Sequence, residues 1–224
     1  MTNYVVATIK PWNIEAYKRH SAALPGNWHL ITEKDDLNEE TLSKLNPRYI
    51  FFPHWSWIVP QNIVKKYECV CFHMTDVPYG RGGSPLQNLI ARGHKTTKLT
   101  ALRMVEELDA GPVYLKTDLD LSGSAQQIYE RSGEMDWDLI KHIAANEPQP
   151  QPQSGEPTLF ERRTPDMSRL PENATLEGLY DHIRMLDAET YPHAFAEWGD
   201  FVMEFTNAEL SGDTLNAKIS IRKR

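Results

Sequence analysis

Short β-branched and aromatic runs alternate with amphipathic stretches along the first two thirds of the chain. Tyr4–Ile9, His29–Thr32, Tyr49–Phe52, Cys69–Phe72, Lys98–Met104 and Val113–Asp118 read as buried strands. Helical patterns fall between and after them, over Pro11–Ala23, Asn38–Leu45, Pro60–Tyr67, Ser84–Ala91 and Ser124–Ala145. Asn38 and Ser84 stand where helix N-caps belong, and Ile128, Met135, Leu139 and Ile143 share the inward face of the last helix. Strands and helices alternating in this way predict an α/β fold with a doubly wound, mostly parallel sheet. Ligands of such sheets bind outside the carboxyl ends of the strands. His54 and His73 each lie one or two residues past a predicted strand end.

The pattern then breaks. Residues 147–157 hold four prolines among glutamines, a composition that predicts an extended, passive connector. It separates a catalytic domain, 1–146, from a small C-terminal appendage, 158–224. In that appendage Thr175–Ala188 reads as a helix capped by Thr175. Phe201–Thr206, Ala208–Leu210 and Lys218–Ile221 alternate like antiparallel strands around a Ser211-Gly212-Asp213 turn.

Composition narrows the classes. The 224 residues are 40% apolar and 25% charged, enough for one domain with a core and a small addition. A formal net charge of −7 argues against a nucleic-acid partner. Cys69 and Cys71 would point to the same face of one strand, too close for an unstrained bridge, so a reducing, cytoplasmic setting is expected. Neither a leader peptide nor an apolar run of about 18 residues is visible, and no membrane partner is expected.

The candidate chemistry lies in Phe72–Pro85, where a strand-end histidine, His73, precedes a glycine-rich loop and a helix start. Leu108-Asp-Ala-Gly-Pro112 follows about one strand later. Neighbouring strand ends converge in this fold, so His73 and Asp109 are expected to meet, and the carboxylate would orient the imidazole and favour its cationic form. The loop lacks a phosphate-binding Gly-Lys-Ser/Thr ending, and metal-ligand spacing is absent.

These segments resemble the 10-formyltetrahydrofolate-dependent formyltransferases. His73, Thr75-Asp-Val-Pro78, Arg81-Gly82, Pro85 and Leu108-Asp-Ala-Gly-Pro112 carry the likeness, and Glu161-Arg-Arg-Thr-Pro-Asp-Met-Ser168 is similar to a segment of the sugar N-formyltransferases. The resemblance implies formyl transfer from the folate to an amine, without a metal. It implies catalytic roles for His73 and Asp109. The family's third catalytic residue, an asparagine, falls at Cys71, and a thiol is a poor oxyanion donor. Folate would be held by Trp55, Ser56 and Trp57, by Thr75, Asp76, Val77 and Pro78, and by Val105, Glu106, Glu107, Leu108 and Asp109.

For the acceptor, the resemblance favours a nucleotide-linked amino sugar of bacterial surface glycans, of the pseudaminic-acid-pathway type, held by Arg81, Arg162, Arg163 and Arg184. A homodimer is left open. Alternatives are another amine, such as methionyl-tRNA or a peptide-synthesis intermediate, or a folate-binding module without turnover. The tRNA reading is disfavoured by the net charge and by a chain too short for a further barrel domain.

Overall fold

A computed structural model describes residues 1–224. Its central sheet has six strands in the order β2-β1-β3-β4-β6-β7: β1 (Asn3–Ala7), β2 (Asn27–Ile31), β3 (Tyr49–Phe52), β4 (Cys69–His73), β6 (Thr96–Arg103) and β7 (Val113–Asp120). β1 pairs in parallel with β2 and β3, and β3 with β4. The α/β fold with a mostly parallel sheet therefore stands. β6, however, runs antiparallel to β4 and sets Thr100 opposite His73. Near-continuous apolar runs suit strands covered on both faces. Val5, Val6, Ala7, Ile50, Phe51 and Val70 are accordingly all fully buried.

The helices α1 (Pro11–His20), α2 (Glu39–Leu45), α3 (Gln61–Lys66), α4 (Pro85–Ala91), α5 (Ala125–Asn146) and α6 (Leu176–Arg184) fall where the pattern placed them. Asn38 caps α2 by accepting the Thr41 N–H at 2.8 Å, and Thr175 caps α6 by accepting that of Gly178 at 3.1 Å. Ser84 does not cap α4. Its backbone is left-handed (φ 49°), and its Oγ instead accepts the Arg163 N–H and meets the Tyr191 hydroxyl, each at 3.1 Å.

The glycine-rich loop is partly a strand. β5 (Tyr79–Gly82) pairs with β8 (Thr158–Phe160), a contact the sequence pattern missed. Gly82 adopts φ 106°, and a Cβ there would overlap the Phe160 carbonyl, so glycine is needed for this approach. β9 (Ala194–Trp198), β10 (Phe201–Ser211) and β11 (Thr214–Lys223) form a three-stranded antiparallel sheet. The turn between β10 and β11 is Gly212-Asp213, as read, and a bulge at Asn207 (φ 51°) interrupts β10 where two separate strands were expected.

By compactness the chain divides differently from the 1–146, 147–157, 158–224 reading. One unit comprises 1–81, 98–119 and 130–159; the other comprises 82–97, 120–129 and 160–224. Helix α5 carries residues of both. No helix is long and apolar enough to cross a membrane.

Candidate active site

The first unit contains His73, Asp109, Cys71 and all the proposed folate loops. His73 ends β4 and is 7% exposed. Its Nε2 lies 2.7 Å from the Gly80 carbonyl oxygen, which can only accept, so Nε2 carries a proton. Its Nδ1 lies 3.6 Å from Asp109 Oδ2. An acceptor thus flanks each ring nitrogen. The Nδ1–Oδ2 separation is beyond a good hydrogen bond, which leaves the Nδ1 proton able to serve an incoming oxygen.

The surroundings fix the ring. Gly80 O also accepts the Thr75 hydroxyl at 3.3 Å, and Thr100 Oγ1 donates to Thr75 O at 2.7 Å. Lys116 Nζ reaches Asp76 Oδ1 at 2.5 Å and Val77 O at 2.6 Å, tethering the next stretch. Asp109 is left-handed (φ 53°), and a Cβ at Gly111 would overlap the Arg103 carbonyl, so the Asp-Ala-Gly segment follows a path closed to a side chain at 111.

Cys71 shares a strand face with His73 and is half-buried against the apolar core. Its thiol points at the Leu102 carbonyl, at 3.8 Å. Burial, then the nearby Asp109 charge, push this thiol well above its ordinary range, and burial pushes Cys69 up to about 12. Both thiols are held protonated and inert.

The loops expected to hold folate carry apolar side chains at the surface. Trp57 (37%), Val105 (39%) and Leu108 (67%) are exposed, as is Ile58, which the sequence reading left out. Trp55 and Trp57 meet edge to face at 4.9 Å. Exposed aromatics and aliphatics at a strand-end rim suit a flat ring. Ser56, Asp76, Glu106 and Glu107 lie at the surface, while Val77 is buried and Pro78 half-buried. Arg81 is tied to Gln153 and Glu107 rather than free for an acceptor.

The remaining arginines belong to the second unit. Arg184 is 4% exposed and bonds Asp181, Leu121 O and Gly123 O, so its role is packing, not acceptor binding. Arg163 donates to Met167 O, and Arg162 is exposed beside Gly83.

A second polar cluster lies in the first unit, of which the sequence pattern singled out His54 alone. Asn13 Nδ2 donates to His54 Nδ1 at 2.9 Å, and Asp136 Oδ2 lies 3.9 Å from the same nitrogen. Asp136 is fully buried, with neither oxygen hydrogen-bonded. Burial pushes its carboxyl well above the usual range and, with help from the Lys10 charge, drops His54 to about 4. His54 is left-handed (φ 52°) and leads directly into Trp55.

Residues 14–140 match the family model described as formyl transferase, more than half of the chain. The chain belongs to the formyltransferase family. Residues 165–222 match a second model, the C-terminal domain of methionyl-tRNA formyltransferase. A solved structure titled methionyl-tRNA formyltransferase from Clostridium thermocellum is 43% identical, with a TM-score of 0.97 and full coverage of both chains. Methionyl-tRNA formyltransferases of Rickettsia bellii and Clostridium perfringens are 28% and 26% identical over 80% and 74% of this chain. The chain spans only 62% and 56% of those two relatives. A Shewanella sugar N-formyltransferase, 17% identical with a TM-score of 0.66 over 87% of this chain and 92% of its own, shares the fold alone.

Two expectations are thereby overturned. The amino-sugar acceptor, with its glycan pathway, gives way because the more similar proteins are methionyl-tRNA enzymes. The exclusion of a nucleic-acid partner falls with it. Net charge was the wrong measure, since it sums the chain without placing its cations: β11 and the residue after it end in Arg222-Lys223-Arg224. Length was misjudged too. A full barrel is not needed for residues 165–222 to match the C-terminal domain.

Proposed function

We propose that the protein transfers a formyl group from 10-formyltetrahydrofolate to the amino group of methionyl-tRNA. The observation that carries the chemistry is the His73 ring held between Gly80 O at 2.7 Å and Asp109 Oδ2 at 3.6 Å. The names of the relatives and the match over 165–222 support the acceptor.

The rim of Trp57, Ile58, Val105 and Leu108 fits the folate ring system, with Trp55 packed beneath it. Bound there, the folate supplies a formyl group on a nitrogen that can leave. His73, as imidazolium, presents Nδ1–H to the formyl oxygen and stabilises the charge that gathers on it as the neutral amine attacks. The new C–N bond forms and the old one breaks. Asp109 takes the proton shed by the attacking amine, directly or through water, and His73 delivers one to the departing nitrogen. The apolar shell around Cys71 keeps the site dry and strengthens these charge interactions.

The test is incubation of the protein with 10-formyltetrahydrofolate and methionyl-tRNA, following tetrahydrofolate release and formylmethionine recovered from the tRNA. Both products in equal amounts are expected. Folate binding without either product, across a panel of amine acceptors, would overturn the reading in favour of a binding module.

A further inference from the structure

The proline- and glutamine-rich segment 147–157 is not a passive spacer. Gln151 forms a two-way backbone bridge to Val113, at 2.7 and 2.8 Å. Two residues on, the Gln153 side chain uses its full bonding capacity. Its Nε2 donates to Asp109 O at 2.7 Å and Gly111 O at 2.8 Å. Its Oε1 accepts from Arg81 Nε at 3.0 Å and Nη2 at 2.9 Å. Two donors and two lone pairs are all that a carboxamide has.

The partners share one property: they adjoin the two acceptors that flank the imidazole. Asp109 faces His73 Nδ1. Arg81 is covalently next to Gly80, whose carbonyl takes His73 Nε2. Asp109 sits in a left-handed conformation on an otherwise exposed segment, Val105–Leu108. That backbone needs an external restraint to hold one geometry, and Gln153 supplies two hydrogen bonds at that point. Arg81 is restrained again by Glu107 at 3.2 Å, so both ends of the clamp belong to the same unit as the ring.

We propose that Gln153 is a positioning residue for formyl transfer: it braces Asp109 directly and Gly80 through Arg81, fixing both acceptors around His73. This rests on the assignment of His73 and Asp109 to the chemistry. Misplacing a catalytic group by about 1 Å costs on the order of 100-fold in rate.

Gln153→Met keeps the side chain's length and removes all four bonds. Gln153→Glu keeps the acceptors for Arg81 but loses the donors to Asp109 O and Gly111 O. Each variant is expected to lower kcat about 10- to 100-fold, with KM for the folate changed less than about 3-fold. The acid limb of the pH–rate profile should shift in both. Independently of turnover, nitrogen NMR of labelled histidine should show the His73 ring signals moved or broadened. Normal kcat, profile and ring signals in a folded variant would overturn the proposal, whatever the melting temperature. If Gln153→Met does not fold, Gln153→Glu carries the same test. A wild-type protein with no formyl transfer would instead sink the functional reading, and the ring signals would still decide whether Gln153 sets the geometry.

Discussion

Replacing Asp136 with asparagine should change how the stability of the protein depends on pH. In the folded state Asp136 is buried with no hydrogen bond, and its carboxyl stays protonated well above the usual range. His54, 3.9 Å away, stays neutral down to about 4. In the unfolded chain the carboxyl ionises near pH 4 and the imidazole near 6.5. Between those values the unfolded pair binds one proton, on His54, and the folded pair binds one, on Asp136. The pair then contributes no slope. Above pH 6.5 the unfolded pair holds none while Asp136 keeps its own, so stability falls by about 1.4 kcal/mol per pH unit until Asp136 ionises in the fold. Asp136→Asn leaves only His54, whose depressed value gives stability that is complete above 6.5 and is lost as pH falls toward 4. That window of about 2.5 units is worth roughly 3 kcal/mol. The stability of the variant minus that of wild type should therefore climb by about 1.4 kcal/mol per unit from pH 5 upward, for as long as Asp136 keeps its proton in the fold. Urea unfolding of both proteins at four pH values reads this difference, and other titrations cancel in it. A difference independent of pH would mean that the folded pair holds no proton that the variant lacks, so that Asp136 is ionised beside a neutral His54, and the account of a protonated Asp136 would be wrong.

Further outcomes follow from the site. His73→Asn should lower turnover by about 100-fold or more while the fold is kept, measured by tetrahydrofolate release; near-normal turnover would remove His73 from the chemistry. Asp109→Asn should slow the reaction and displace the acid limb of its pH–rate profile, so an unchanged profile counts against the pairing. Cys71 should resist thiol reagents at neutral pH, because burial and the Asp109 charge hold it protonated; fast modification of the folded protein would contradict its placement. Cys71→Asn should reduce both turnover and melting temperature, since the larger, polar amide enters a half-buried position against the apolar core.

What the sequence showed depended on the range of the interactions concerned. β1 and β3 are buried almost throughout and carry continuous apolar runs, so burial alone marks them. The Asn38 and Thr175 caps are local hydrogen bonds within three residues and were equally legible. Ser84 looks the same locally, yet Arg163 and Tyr191, far along the chain, claim its hydroxyl. β5 was hidden because Gly80 and Gly82 carry no strand propensity and the strand is defined by its partner β8. Gln153 and Asp136 were missed for a related reason. A glutamine among prolines and an acid on a long helix both read as solvated, and only the folded chain shows the four hydrogen bonds of one and the buried, unbonded carboxyl of the other beside His54. His73 and Asp109 were found because a strand end and an Asp-Ala-Gly turn are local marks, although their separation was not readable.

The cysteine at position 71 also says how this site must distribute its charge stabilisation. A site with a neutral amide and an imidazolium shares the developing oxyanion between two donors. Here the thiol faces the Leu102 carbonyl and the Thr75 hydroxyl is committed to Gly80 O, so neither is aimed at an oxyanion. The side chain left at this point is the His73 ring, whose Nδ1 lies 3.6 Å from Asp109 Oδ2. Under the proposed chemistry the reaction would rest on the His73 ring, whose direction is set by Gly80 on one side and Asp109 on the other. Bracing both acceptors with a single carboxamide follows from that concentration: with one donor carrying the load, a small rotation of the ring costs more than it would where a second donor shares the oxygen.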